Sequence, residues 1–372
     1  MNIAAATPGR YGAAFEWLGI ERAWARTRGS HAVVIGIVDL GVQLDHPLLG
    51  PNIQRDHSHN PAAAGEHDVS GTHAAGVAAG RASEVECFSG VAPEARILPV
   101  RYSSTPGTHA FDLAHAIEYA VEMGAHIINV GHGADMDATA VRRAVQYAAT
   151  RNVLVVGSMA KPAPVASVTA EEVPPNLLRV LAIDEELQPI AETAPVGDIA
   201  APGFARVPHW RATGHTALTN AALGAPYVSG CAALVKSLNP GWGYHELREH
   251  LVVSGATQPG LAGKCRNNKV LNVADAVLGP LELASDARTM QWSSLNDAMI
   301  SWKLRYRSAF CMNTVALYRP HGDEHWRELA FARAPSLHMV IPAASLRRSS
   351  GTLRLASREA NFHSEEIALT IR

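Results

Sequence analysis

Cysteine is scarce and scattered. Cys87, Cys231, Cys265 and Cys311 are the four in 372 residues, with no C-x-x-C pair. That argues against a disulfide framework and fits reduced thiols in a cytoplasmic protein. Charge of one sign is also lacking: the net charge is −2 and only 18% of residues are charged. There is thus no electrostatic ground for nucleic acid or an anionic membrane as partner, although arginine gathers in the C-terminal quarter. No run of about 18 consecutive apolar residues occurs, so no membrane span is expected. The stretch Met1 to Gly9 lacks the charged and apolar regions of a signal peptide. A soluble, cytoplasmic protein is the expectation.

What is present is ample apolar material, 47% of the chain, in a length that favours one large domain and a smaller one. Ala32 to Val38 is a continuous, β-branched apolar run, the mark of a strand buried on both faces of a parallel sheet. It ends in Asp39-Leu40-Gly41, a carboxylate at the edge where open α/β sheets place their sites. Strand-like runs Ile97–Val100, Ile127–Val130, Val153–Val156 and Leu178–Ile183 alternate with helical patterns at Phe111–Met123 and Ala138–Thr150. This alternation predicts a doubly wound, mostly parallel sheet with helices on both faces, over residues 1–280.

Beyond about Val277 the period changes to two. Ile300, Trp302, Leu304 and Tyr306 alternate with polar residues, and Val315/Leu317, Leu337/Met339/Ile341, Leu353/Leu355 and Ile367/Leu369/Ile371 repeat the pattern. Residues 281–372 therefore read as a small antiparallel β-sandwich.

The chain is organised around Thr219 to Val228. A polar approach runs into an apolar helix with Pro226 near its first turn, where a missing N–H is harmless. N–H groups and the helix dipole converge at such a point, which suits an activated group. The residue best placed to react, however, is Ala222.

Three segments stand in the order Asp39, Ser70-Gly71-Thr72-His73, and the Ala222 loop. This order resembles the subtilases, the subtilisin-like serine proteases. Gly71-Thr72-His73 resembles the family's G-T-H motif, Gly90-Val91-Ala92-Pro93 its G-V-A-P, and Ala201-Pro202-Gly203 its A-P-G. Asn129, Val130, Gly131, His132 and Gly133 stand at its substrate-binding strand, and Lys269–Ala276 resembles the stretch that closes the domain. The resemblance covers roughly residues 16–277 and implies a subtilisin-like fold, with Asp39 and His73 as a surviving dyad and Ala222 at the nucleophile position.

The departures bear on activity. Ala222 replaces the serine, Lys161 stands at the oxyanion asparagine, Leu40 replaces the Ser or Thr after the aspartate, and Gly131 the substrate-strand serine. A serine needs an imidazole to take its proton and a carboxylate to hold that imidazole. Without the serine, peptide hydrolysis is not expected. The expectation is a pseudoprotease that holds an extended peptide by strand addition along Asn129 to Gly133, in the maturation of a ribosomally made peptide. A residual reaction with Asp39–His73 as base and Lys161 as charge stabiliser stays open. So do an endopeptidase inactivated by a Ser→Ala change at 222, and a non-catalytic protein that docks through its C-terminal sheets.

No metal or cofactor is expected. The histidines of Asp56-His57-Ser58-His59 and His67-Asp68 have no third ligand placed by spacing, and Leu48 stands where the family's calcium-binding Asp would be. Cys231 reads as a small core residue. About 30 residues precede the first strand, too few for the folded propeptide that many subtilases carry. The partner expected is a peptide or protein, with no nucleic acid, no membrane and no assignable oligomeric state.

Overall fold

The computed structural model describes residues 12–55, 69–81, 89–102, 109–131, 136, 138–158, 173–190, 197–209, 215–283, 289–292, 298–305, 313–333, 336–342, 345, 350–358 and 360–371. The chain divides into two compact units, Met1–Val277 and Leu278–Arg372.

In the first unit two short helices, α1 (Ala13–Leu18) and α2 (Ile20–Trp24), precede β1 (Val34–Asp39) and α3 (Val69–Ala79). There follow β2 (Arg96–Arg101), α4 (His109–Glu122), β3 (Ile127–Val130), α5 (Thr139–Thr150), β4 (Leu154–Ser158), β5 (Leu177–Ile183) and β6 (Ile199–Pro202). A hairpin of β7 (Phe204–Pro208) and β8 (His215–Thr219) leads through a 3-10 turn, Ala221–Leu223, into α6 (Gly224–Leu238). The unit closes with α7 (Tyr244–Ser254), β9 (Ala256–Thr257), β10 (Lys269–Val270) and α8 (Val273–Leu278).

Among the described residues these strands form one sheet in the order β2-β1-β3-β4-β5-β6-β10-β9. All its pairs are parallel except β10 with β9. The expected strands are present, but the sheet does not end at Ile183. β6, β10 and β9 extend it, and two-residue strands carry no periodicity to read.

Alternation within the strands builds two cores. Ile35, Ile37, Ile127 and Leu154 face the side covered by α3 and α6. Val34, Val38, Ile128, Val130 and Val155 face the side covered by α4 and α5. Each fully buried side chain of this kind stabilises by about 1.5–3 kcal/mol. The central α6 is so apolar that Ala221–Leu238 has a mean hydropathy of 1.2, enough by length and composition to cross a membrane, yet 72% of that window is buried inside the protein. It is a core helix.

One feature of the strand order positions the site. From β1 the chain moves to β2 on one side and then crosses to β3 on the other, so β1 and β3 are neighbours whose connections leave in opposite directions. The crevice at the carboxyl ends of such a pair is where open α/β sheets bind ligands. Asp39 ends β1, and Gly131 follows β3.

The second unit has a three-stranded sheet of β11 (Leu281–Leu283), β13 (Ala298–Leu304) and β16 (His338–Ile341). A five-stranded sheet runs β12 (Thr289–Trp292), β18 (Ile367–Ile371), β17 (Gly351–Ser357), β14 (Thr314–Pro320) and β15 (Arg327–Ala332). Pairing is antiparallel except between β12 and β18. Ile300, Trp302, Leu353 and Leu355 are buried as alternation predicts. A bulge between Ala316 and Leu317 shifts the register against β15. Ala316 and Tyr318 fill the core there, while Leu317 is only half-buried.

Candidate functional site

Asp39 is 1% exposed. A carboxylate so buried needs hydrogen bonds. Its Oδ1 accepts from the Leu40 N–H at 2.7 Å and from the Ser70 hydroxyl at 2.5 Å. Ser70 reaches it because α3 runs unusually close to the loop after β1. A Cβ added at Gly71 would lie 2.1 Å from the Gly41 carbonyl oxygen, so only glycine allows the approach.

Among the described residues no hydrogen bond joins His73 to Asp39. His73 sits one turn further along α3, where burial, and secondarily the nearby His209, hold its pKa below the usual histidine value. A carboxylate partner would raise it. Ser70 and His73 are three residues apart and share a helix face.

Gly131 belongs to the same arrangement. A Cβ there would lie 2.3 Å from Asp39 Oδ2, so the carboxylate fills the space that any side chain at 131 would need. Asn129 and Val130 do not line an open groove. Both are fully buried, and β3 is paired on both edges, to β1 and to β4. Strand addition needs a free edge, and residues 127–130 have none. Asn129 instead accepts a hydrogen bond from Ser229 on α6 at 3.1 Å. His132, Gly133 and Lys161 lie outside the described residues, as do residues 56–68 with their histidine cluster.

Ala222 sits in the 3-10 turn ahead of α6, which packs against α3, β4 and β5. The Ser158 hydroxyl donates to the Ala221 carbonyl at 2.8 Å, fixing the turn on the end of β4. The Ala222 N–H donates to the Asn220 side-chain oxygen at 2.8 Å. Asn220 is thus an N-cap. The Ala222 N–H therefore already has a partner within the turn.

Sequence reasoning missed the roles of Ser70 and Asn220. An Asn just ahead of a helical turn was a readable cap signal. For Ser70, no signal in the sequence distinguishes it from His73. Cys231 is fully buried and burial pushes its thiol pKa up, which makes it inert. Among the described residues no group of three or more His, Cys, Asp or Glu could hold a metal ion.

A model of the subtilase family matches residues 30–273. The chain belongs to the subtilase family. A thermophilic serine proteinase of Bacillus sp. (strain AK1) is 31% identical over 224 residues, 58% of this chain and 55% of that protein. Subtilisin BL of Lederbergia lenta is 30% identical over 235 residues, 61% of this chain and 85% of that one. Among solved structures, the prenylagaramide maturation protease PagA is 26% identical with a TM-score of 0.54, covering 70% of this chain and 98% of that chain. The MycP3 protease of the type VII (ESX-3) secretion system shares the fold at 24% identity and a TM-score of 0.58. This subtilase therefore has the subtilisin-like α/β fold followed by C-terminal β-sheets.

Proposed function

We propose that this subtilase does not hydrolyse peptides and acts by holding one. The observation that carries the first half is the Asp39–Ser70 hydrogen bond. Acyl-enzyme chemistry needs a nucleophile, an imidazole oriented by a carboxylate, and free donors for the oxyanion. Here the nucleophile position is Ala222, the carboxylate holds a serine hydroxyl, and the Ala222 N–H is capped. A single Ser→Ala change at 222 accounts for the first of these and not for the other two. The reading of a natural loss of chemistry is favoured over that of a protease inactivated at one residue.

The second half is supported by the reversal of strand order between β1 and β3, at whose carboxyl ends open α/β sheets bind ligands. The likeness to PagA, a maturation protease, favours a peptide undergoing maturation as the ligand. Scattered cysteines, of which Cys231 and Cys265 are free and buried, suit a cytoplasmic setting.

The test is a fluorescence-anisotropy titration of labelled peptides, with mass spectrometry of the same mixtures after prolonged incubation. Saturable binding with the peptide recovered intact supports the proposal. Cleaved peptide sinks the first half, and absence of binding across the set sinks the second.

A further inference from the structure

Near the amino ends of β5 and β6, three guanidinium groups converge on one buried carboxylate. Asp198, just ahead of β6, is 1% exposed. Its Oδ2 accepts from the Arg179 N–H at 3.0 Å and from Arg179 Nε at 3.2 Å, and its Oδ1 from the same guanidinium at 3.3 Å. Arg248 of α7 approaches Oδ1 at 3.4 Å, and Arg266, from the loop before β10, at 3.8 Å. Arg248 also donates from Nε to the Leu177 carbonyl. The group therefore ties together β5, β6, α7 and the loop before β10.

A staple needs one arginine. Three guanidiniums packed together repel one another unless anions lie among them. Among the described residues the second carboxylate nearby is Glu249, which faces His245 at 4.0 Å. Among the described residues, three guanidiniums against two carboxylates leave one positive charge over, before His245 is counted.

That surplus lines an open cleft of about 480 Å³. Arg248 and Arg266 line it together with Asp198 and Glu249, and Val173, Pro174, Val252 and Val253 supply apolar lining. Arg266 remains 47% exposed, and its Nε is the atom nearest Asp198. A guanidinium offers five donors in a planar fork that matches a carboxylate.

We propose that this cleft binds a monoanionic carboxylate that carries a short branched apolar group, such as the C-terminal carboxylate of a peptide ending in an aliphatic residue. One such ligand balances the surplus charge, and its apolar part meets the valine and proline wall. A dianion would overshoot the balance and face Glu249.

The test uses the full chain and three probes in isothermal titration: N-acetyl-L-valine, N-acetyl-L-valinamide and isovalerate. N-acetyl-L-valine is expected to bind and the amide not to. Binding of isovalerate as well assigns the site to free short carboxylates, and its failure assigns it to peptide C-termini. Arg266→Gln is expected to weaken binding about tenfold or more, the scale of one lost charge-assisted pair. Glu249→Gln, which removes the competing carboxylate, is expected to tighten it. Circular dichroism checks that both variants fold. Equal behaviour of acid and amide, or binding indifferent to Arg266→Gln, overturns the proposal and leaves the three arginines as a structural tie.

Discussion

A carboxylate as buried as Asp39 is held in place by its hydrogen bonds, so its partners decide what it can do. Ser70 donates to its Oδ1, and among the described residues no hydrogen bond joins it to His73. On the proposed function, a serine introduced at 222 meets no base activated by that pair. We expect Ala222→Ser to yield no more cleaved peptide than the unaltered chain, read by mass spectrometry of a peptide mixture. Adding Ser70→His puts an imidazole where Asp39 accepts its hydrogen bond. The double variant is expected to exceed the single one by about a hundredfold or more, the scale of general acid–base catalysis. Equal rates for the two would show that Ser70 is not the missing base position. The same hydrogen bond has a stability consequence. Ser70→Ala leaves a buried carboxylate one donor short and is expected to cost about 1–3 kcal/mol in denaturant unfolding. Gly131→Ala drives a methyl into Asp39 Oδ2 and should cost a similar amount, by overpacking rather than by a lost bond.

Helices α7 and α8 are joined by His250, which is fully buried and donates from Nε2 to the Ala276 carbonyl at 2.8 Å. Burial lowers its pKa to about 4. In the unfolded chain it titrates near 6.5, so between these values the unfolded state binds a proton that the folded state does not. Its contribution is complete above about pH 6.5 and is lost as the pH falls to about 4. The loss amounts to about 3 kcal/mol, because each pH unit between the two values removes about 1.36 kcal/mol. Unfolding midpoints measured across that range should fall with pH, and His250→Phe should flatten the fall. An unchanged slope in the variant would assign the acid sensitivity elsewhere. Elements of this kind differ in how far the sequence reveals them. β1 and β3 were legible because burial on both faces demands unbroken apolar runs. The end of the sheet was not, because β9 and β10 are two residues each and owe their pairing to position alone. The site was half legible. Asp39, Ala222 and the motifs around them stand out by type and order. The hydrogen bond from Ser70 to Asp39 does not stand out, because Ser70 and His73 share a helix face and a spacing of three residues leaves open which groups reach the carboxylate.

At the scale of the molecule, each unit has its own core, one of helices on a parallel sheet and one of β-sheets. We expect residues 1–280 expressed alone to keep a cooperative thermal transition, and the full chain to show two transitions by calorimetry. A truncated chain that melts without cooperativity would mean that the first unit depends on the second. The strand order also sets a timetable for synthesis. α6, with the hydropathy of a membrane segment, leaves the ribosome before β9 and β10, which complete the sheet. Until α7, which packs against it, and those later strands arrive, this apolar helix lacks part of its cover, and parallel pairings between distant strands close slowly. The yield of folded protein in a cell is then expected to rise with chaperone capacity during that interval, read as the soluble fraction with and without added chaperone.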